Sequence, residues 1–319
     1  MTTHLNPTLS IVIPIYNEME SLDLLERELL AFTSKLEISW EVLLINDGSS
    51  DGTDLKLNTM ANKQSGFKVL HFSRNFGHQI AISAGIRYAR GNAVVVMDGD
   101  LQDPFYVVHS MIEKWREGFE VVYAVRDERA GETWIKKLTA SFFYKILAQL
   151  SKTPIPQNVG DFRLVDRKAV DAFNMIHEKN RFVRGLFAWI GYRQTSVHFM
   201  REARKSGSTK YPFRKMFLFA LDGLFSFSDA PLRAVLWLGF WVAGLSFCAG
   251  IWSIAVKLLG QSVQGWTSLI LVVCFASGVQ LIVLGVIGEY IARIAAEVRN
   301  RPLFLIRDSK NFDPEELGR

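Results

Sequence analysis

The sequence predicts an α/β protein: a Rossmann-like, doubly wound domain followed by a C-terminal hairpin of two transmembrane helices. Two observations predict the domain. Apolar strand-like runs alternate with helical patterns in β-α-β order, the signature of a parallel sheet with helices on both faces, and the polar clusters fall at the strand ends. A third predicts the hairpin: the chain has 319 residues, 49% of them hydrophobic, and beyond residue 230 two long runs are almost free of charge.

Ser10-Ile-Val-Ile-Pro is the first strand, and a helical pattern follows from Glu20 to Leu36. Glu41-Val-Leu-Leu-Ile is the second, with Asp51 placed to cap the next helix. Val69-Leu-His-Phe is the third, before a helix over Ile80 to Ala89. Ala93-Val-Val-Val-Met is the fourth, and its fully apolar character belongs at the centre of a sheet. In such sheets ligands bind at the carboxyl ends of the strands. Those ends are Pro14-Ile-Tyr16-Asn17-Glu18, Asn46-Asp47-Gly48-Ser49 and Asp98-Gly99-Asp100-Leu101-Gln102-Asp103-Pro104.

Several function classes lose their support. Neither a G-x-G-x-x-G nor a G-x-x-x-x-G-K-[ST] loop follows a strand, against dinucleotide oxidoreductases and P-loop NTPases. The net charge of +5 is modest, with no block of like charge and no basic-aromatic interleaving, so no nucleic-acid partner is expected. The two cysteines, Cys248 and Cys274, lie in apolar runs without ligand spacing and read as small buried residues. Six scattered histidines also lack ligand spacing; for His78 a capping or core role is favoured over a place lining the cleft. The aromatic residues between 182 and 189 recur at helical spacing and read as core.

Ala234 to Val256 and Trp266 to Ile287 are each long enough to cross about 30 Å of hydrocarbon as a helix. Lys210, Arg214, Lys215 and Arg233 precede the first run, while Arg293, Arg299, Arg301, Arg307 and Lys310 follow the second. The connection between them offers only Lys257, so both ends are expected in the cytoplasm. The N-terminus has no basic region followed by an apolar core, and the large N-terminal part is expected to stay cytoplasmic. Phe213, Met216, Phe217, Ala220, Leu221, Leu224 and Phe225 form an apolar stripe suited to a helix in the membrane interface. The expected organisation is therefore a cytoplasmic domain (1–210), an interfacial amphipathic segment (211–230), two spans (231–292) and a cytoplasmic tail (293–319).

Asp98 and Asp100 stand two apart at a strand end, where their carboxylates can project together and raise each other's pKa unless a cation is near. Oxygen donors without a His or Cys cluster suit Mg²⁺ or Mn²⁺ shared with substrate phosphates.

Together, Asn17-Glu18, Asn46-Asp47-Gly48-Ser49 and Asp98 to Pro104 resemble the family 2 glycosyltransferases, with a domain of the glycosyltransferase A type. More narrowly the chain is similar to polyprenyl-phosphate sugar transferases: dolichyl-phosphate mannose synthases and bacterial bactoprenol glucosyltransferases. The likeness includes Gly160-Asp161-Phe162-Arg163, Gly207-Ser208-Thr209-Lys210-Tyr211, both spans, and Gly288-Glu289-Tyr290 with Arg293. Length, span count and that last segment resemble the bactoprenol type most. Asn46 stands where many relatives carry a second Asp.

The resemblance implies inverting transfer of a sugar, glucose from UDP-glucose, to undecaprenyl phosphate at the cytoplasmic face of the inner (plasma) membrane. The product would be a polyprenyl-monophosphate sugar used in cell envelope glycosylation. It implies that Asp47 and Asp98, with Pro14, Tyr16, Asn17, Glu18, Ser49 and Gly99, bind the nucleotide-sugar. Asp100 and Gln102 would meet the metal and diphosphate, and the catalytic positions are Asp100 and Asp161, the latter orienting the acceptor or shaping the donor site. Arg126, Arg129, Arg201, Arg204, Ser208 and Lys210 would meet phosphate and the lipid headgroup. A lipid bilayer is the expected environment, and a homo-oligomer is compatible with it.

Three rivals remain. GDP-mannose or UDP-linked aminoarabinose could replace the donor. A processive polysaccharide synthase would carry Q-x-x-R-W and more spans, and the segment Arg181 to Trp189 lacks that pattern. A non-catalytic membrane module binding nucleotide-sugars would tolerate loss of Asp98, Asp100 or Gln102, and all three are present.

Overall fold

The structure, a computed structural model, describes residues 7–126, 159–200, 230–259 and 265–317. Its strands are β1 (Leu9–Ile15), β2 (Trp40–Asn46), β3 (Phe67–Phe72), β4 (Ala93–Val96), β5 (Val121–Arg126), β6 (Val159–Asp166), β7 (Gln194–Phe199) and β8 (Ile306–Lys310). The helices are α1 (Leu22–Thr33), α2 (Thr53–Lys63), α3 (His78–Tyr88), α4 (Phe105–Arg116), α5 (Arg167–Asn174), α6 (Val183–Trp189), α7 (Ala230–Leu258) and α8 (Trp266–Val298).

All eight strands join one sheet in the order β7-β5-β6-β4-β1-β2-β3-β8. Strands β4, β1, β2 and β3 pair in parallel, as expected where a helix crosses over between successive strands. The sheet then departs from the purely parallel expectation: β6 runs antiparallel to both β4 and β5, and β8 antiparallel to β3. Helices cover both faces. Ile11, Ile13 and Ile15 pack with α1, α2 and α4, whereas Val12 packs with α3, α5 and α6. Burial on both sides is why β1 and β4 read as continuous apolar runs rather than alternating ones.

Close approach fixes where α3 lies. A Cβ on Gly85 would stand 2.1 Å from Val12 Cγ1, so only glycine lets this helix sit so near β1. Phe187 of α6 stacks on Phe173 of α5 with centroids 4.7 Å apart, a core role as expected. Trp189 differs: it is the last residue of α6 and is 64% exposed, outside the core expected for it.

Helices α7 and α8 contain apolar windows, Ala234–Val256 and Phe275–Val298, long enough to cross a membrane. Exposed Leu, Trp, Phe and Ile side chains cover their outside, as they would if lipid rather than water were the solvent. With 33 residues α8 is about 50 Å long, well beyond about 30 Å of hydrocarbon. Its far end meets the domain: Lys179 N–H donates to Glu297 Oε1 at 2.7 Å and Lys179 Nζ to Asn300 Oδ1 at 2.7 Å.

The chain after α8, read from sequence as a tail outside the domain, supplies an edge strand instead. β8 pairs from Phe72↔Ile306 to Val69↔Lys310, and Phe304 stacks on Phe72 with centroids 5.0 Å apart. The Glu316 carboxylate then accepts from Lys68 Nζ at 2.8 Å and stands 3.3 Å from Arg90. Since β8 is antiparallel to β3, the chain arriving from α8 joins the sheet at the carboxyl ends of β1 to β4. The expected interfacial stripe, Phe213 to Phe225, lies outside the described residues.

Candidate active site

The polar strand ends converge. Asn17, with φ 51°, donates its N–H to Ser49 Oγ at 2.9 Å, and its Oδ1 accepts from Ser50 N at 2.9 Å. Asn46 Oδ1 in turn accepts from Ser49 N at 3.1 Å. These reciprocal bonds lock the turns after β1 and β2 into one wall, with Tyr16 48% exposed at its rim and Pro14 in the strand beneath. Glu18 closes the wall, its N–H donating to Thr53 Oγ1 at 3.2 Å.

Asp47 is buried at the end of β2. Its Oδ1 accepts from Phe76 N at 2.6 Å and its Oδ2 from Gly77 N at 3.0 Å. Burial raises its pKa, opposed by those two N–H groups and by the charge of His78. Asp47 thus fixes the chain entering α3 and sets where His78 begins that helix.

After β4 the chain turns sharply, with Leu101 at φ 59°. Asp103 Oδ2 accepts from Asp98 N at 3.0 Å, and Asp100 Oδ1 from Gln102 N at 3.2 Å, closing Asp98 to Asp103 into a compact turn beside Gly99. Asp103 is buried, and burial with the charge of Asp98 pushes its pKa up to about 7. Burial also raises the pKa of Asp98; the charges of Asp161 and Asp100 add to the rise, and those of His78 and Arg126 oppose it. Among the described residues no three His, Cys, Asp or Glu side chains are grouped to hold a metal ion. Asp100 and the side-chain oxygen of Gln102 are the hard donors at this turn, a partial set that suits a cation sharing substrate oxygens.

Asp161 of β6 is 5% exposed and heavily engaged. Arg184 grips both its oxygens, at 3.0 and 3.1 Å, Gln79 Nε2 donates to Oδ2 at 3.1 Å, and His78 Nε2 stands 3.4 Å from Oδ2. Burial alone would raise the carboxyl pKa; Arg184, His78 and Arg163 overcome it and hold the group far below the usual carboxylate range. Arg163 is buried alongside, and burial pulls its pKa down to about 10 against the charge of Asp161. Its Nη2 donates to Gly160 O at 2.9 Å, and its guanidinium lies over the Phe187 ring.

Arg126, at the end of β5, reaches the same cleft. Its Nη2 is 3.8 Å from Asp103 Oδ1, and a Cβ on Gly160 would meet that Nη2 at 2.8 Å, so glycine makes room for the guanidinium. Arg126 Nε and Asp103 Oδ1 are buried without a hydrogen-bond partner among the described residues. The guanidinium places a cation beside the acidic turn, the charge a phosphate oxygen would need.

Of the residues expected from sequence, Pro14, Tyr16, Asn17, Glu18, Asp47, Ser49, Asp98, Gly99, Asp100, Gln102, Arg126 and Asp161 lie at the strand-end face. Arg129, Arg201, Arg204, Ser208 and Lys210 lie outside the described residues. Gln79 and Arg184 join the site without having been singled out for it, Asp103 and Arg163 join it from motifs in which they were given no role, and His78 joins it against the favoured capping or core reading. His78 is 44% exposed to the cleft rather than a cap or core residue. Its signal was present in its place, directly after the third strand, where the helix start points into the strand-end crevice.

Residues 10–173 match the family Glycosyl transferase family 2, and residues 230–294 match the GtrB C-terminal hairpin. The chain is 48% identical to an uncharacterized glycosyltransferase of Synechocystis sp., over 94% of this chain and 95% of that one. It is 39% identical to the SfII prophage-derived bactoprenol glucosyl transferase of Shigella flexneri, over 96% of this chain and 99% of that one. Among solved structures it is similar to mannosyl-3-phosphoglycerate synthase from Rubrobacter xylanophilus, 19% identical, with a TM-score of 0.47 covering 73% of this chain and 75% of that one. Strand-end acidic turns on a helix-covered sheet, followed by an apolar hairpin, and these full-length matches lead to one assignment: the chain belongs to glycosyl transferase family 2 and is a glycosyltransferase.

Proposed function

We propose that this glycosyltransferase moves glucose from UDP-glucose to a polyisoprenyl phosphate, with inversion, at the cytoplasmic face of the membrane. The observation that carries the reading is the end-to-end similarity, hairpin included, to a protein named bactoprenol glucosyl transferase. A second supports it. The chain leaving α8 enters the sheet at the face bearing Asp98, Asp100 and Asp161, with Ser73 N donating to Leu305 O at 3.0 Å. A cleft on the side of the membrane-helix exit suits a nucleophile carried on a lipid. The organisation proposed with it is a transferase domain over 1–210, an interfacial segment over 211–230, two spans over 231–292 and a segment over 293–319 that also adds β8 to the domain's sheet.

In this mechanism the interlocked turns of Asn17 and Ser49 with Asp47 and Asp98 form the nucleotide wall. Asp100 and Gln102 would hold Mg²⁺ or Mn²⁺, whose bound charge stabilises the leaving nucleoside diphosphate. Arg126, whose side chain is partly exposed beside the acidic turn, offers a further cation to phosphate oxygens. The attacking lipid phosphate is already ionised at neutral pH, so its oxygen displaces the diphosphate at the anomeric carbon without a strong base. Asp161 needs no role as a base: Arg184 and Arg163 beside it hold its carboxyl far below the usual carboxylate range. It orients the cations around it.

The test is transfer by purified protein in detergent, with undecaprenyl phosphate, Mg²⁺ and a panel of radiolabelled nucleotide-sugars. Label from UDP-glucose in the lipid extract is the expected result. Label from GDP-mannose alone would overturn the donor, and label from none of the donors would overturn the reaction.

A further inference from the structure

The β4–β6 ladder brings two carboxylates into opposition. Its register pairs Ala93↔Asp166 through Val96↔Arg163, and just beyond that last pair Asp98 and Asp161 both lie within 3.5 Å of one side chain, His78. Like charges this near one another repel, and burial sharpens that repulsion. Cations offset this: Arg184 and Arg163 stand beside Asp161 and the charge of Arg126 acts on Asp98, but neither arginine of Asp161 spans the two carboxylates. His78 does: its Nε2 is 3.5 Å from Asp98 Oδ1 and 3.4 Å from Asp161 Oδ2.

The imidazole is held there from several sides. Asp47 fixes the backbone of Phe76 and Gly77 just before it, and Gly85 seats the rest of α3 against Val12. Its neighbour Gln79 donates to Asp161 Oδ2 and accepts from Val183 N at 2.9 Å, joining α3 to α6. The charged groups facing His78 are Asp98 after β4, Asp161 of β6, Arg184 of α6 and Asp47 after β2. Burial works to lower its pKa, but the Asp161 contact and the charges of Asp98 and Asp161 outweigh burial and Arg184, leaving it raised.

We propose that His78 is a positioning residue of the transfer reaction, its imidazolium bridging Asp98 on the β4 turn to Asp161 on β6 and holding the two sides of the cleft at a fixed separation. The proposal rests on the transfer reading for its kinetic consequence, but the bridge itself is a property of the folded chain. Without the positive charge Asp98 and Asp161 move apart, and the donor wall shifts relative to Arg184 and Arg126. Ground-state nucleotide binding keeps the Asn17, Ser49 and Asp47 part of the wall and so changes less than turnover.

Two measurements test it together. The first is kinetic: His78→Gln should lower kcat about 10- to 100-fold while calorimetric binding of UDP stays within about 3-fold. His78→Lys, which restores a cation, should recover most of that loss. Full turnover in His78→Gln would overturn the proposal, as would His78→Lys no more active than His78→Gln. If His78→Gln does not fold, the Lys variant decides by the same comparison with wild type. The second measurement needs no substrate. In histidine-labelled protein, NMR should show His78 as an imidazolium at neutral pH, titrating at lower pH in Asp161→Asn. A neutral His78, or one unmoved by Asp161→Asn, would overturn the bridge. Failure of wild type to transfer any sugar, with the NMR bridge present, would count against the transfer reading and not against the bridge.

Discussion

Arg184 of α6 grips both oxygens of Asp161 in β6, at 3.0 and 3.1 Å, across 23 residues of sequence. The fork matches the carboxylate edge to edge, so the pair fixes direction as well as charge. Removing the guanidinium leaves a buried carboxylate with Gln79, His78 and Arg163 as its remaining partners. Arg184→Ala should therefore destabilise the domain by about 1–3 kcal/mol, less than the loss of a sole partner. Denaturant unfolding checks this, and the same substitution on an Asp161→Asn background should cost less, since the coupling is already gone.

Gly160 has a different kind of importance. A methyl group there would stand 2.8 Å from Arg126 Nη2, the end of a flexible side chain rather than backbone. Gly160→Ala should leave the melting temperature nearly unchanged but displace the guanidinium. The expected result is a KM for donor or acceptor raised about 3- to 10-fold with normal folding. An unchanged KM would show that Arg126 does not meet substrate.

Asp100 is the residue on which a metal requirement should depend. Asp100→Ala should abolish transfer, measured as label in extracted lipid, while leaving a folded, membrane-bound protein. Chelation of divalent cations should do the same to wild type, and added Mg²⁺ or Mn²⁺ should restore it.

The C-terminal strap carries a pH signature. Burial works to lower the Lys68 pKa, but Glu316 and Glu41 outweigh it and leave it raised. A folded pKa above the unfolded value means stabilisation that is complete below about pH 10.4 and is lost as pH rises through the folded pKa. Hydrogen exchange of β3 and β8 should accelerate above that point in wild type. In Glu316→Gln, which weakens the Lys68 contact, exchange should already be faster at pH 8.

Much of this molecule was legible in its sequence, for local reasons. β1, β2 and β4 are buried on both faces, so they appear as unbroken apolar runs, and the polar clusters that follow mark the strand-end crevice. Asp47, Asp98 and Asp100 could be found in this way. What could not be found depends on pairing at long range. Nothing near Asp161 reveals that β6 runs antiparallel beside β4, yet that pairing is what brings Asp161 and Asp98 to the same His78 side chain. Arg184 and Gln79 reach the site only because α6 and α3 pack on one face of the sheet. Similarly, the short polar run Ile306–Lys310 becomes a strand only beside β3, with Phe304 and Glu316 fastening it at either end.

The central claim is transfer of a single sugar to a lipid monophosphate, and the product's mass tests it most directly. Wild-type protein is incubated with undecaprenyl phosphate, UDP-glucose and Mg²⁺, and the lipid extract is analysed by mass spectrometry. The account predicts the acceptor plus one hexosyl unit, a monophosphate, absent from the Asp100→Ala reaction. A product heavier by a further phosphate, or an acceptor recovered unchanged by folded wild-type protein, would contradict it.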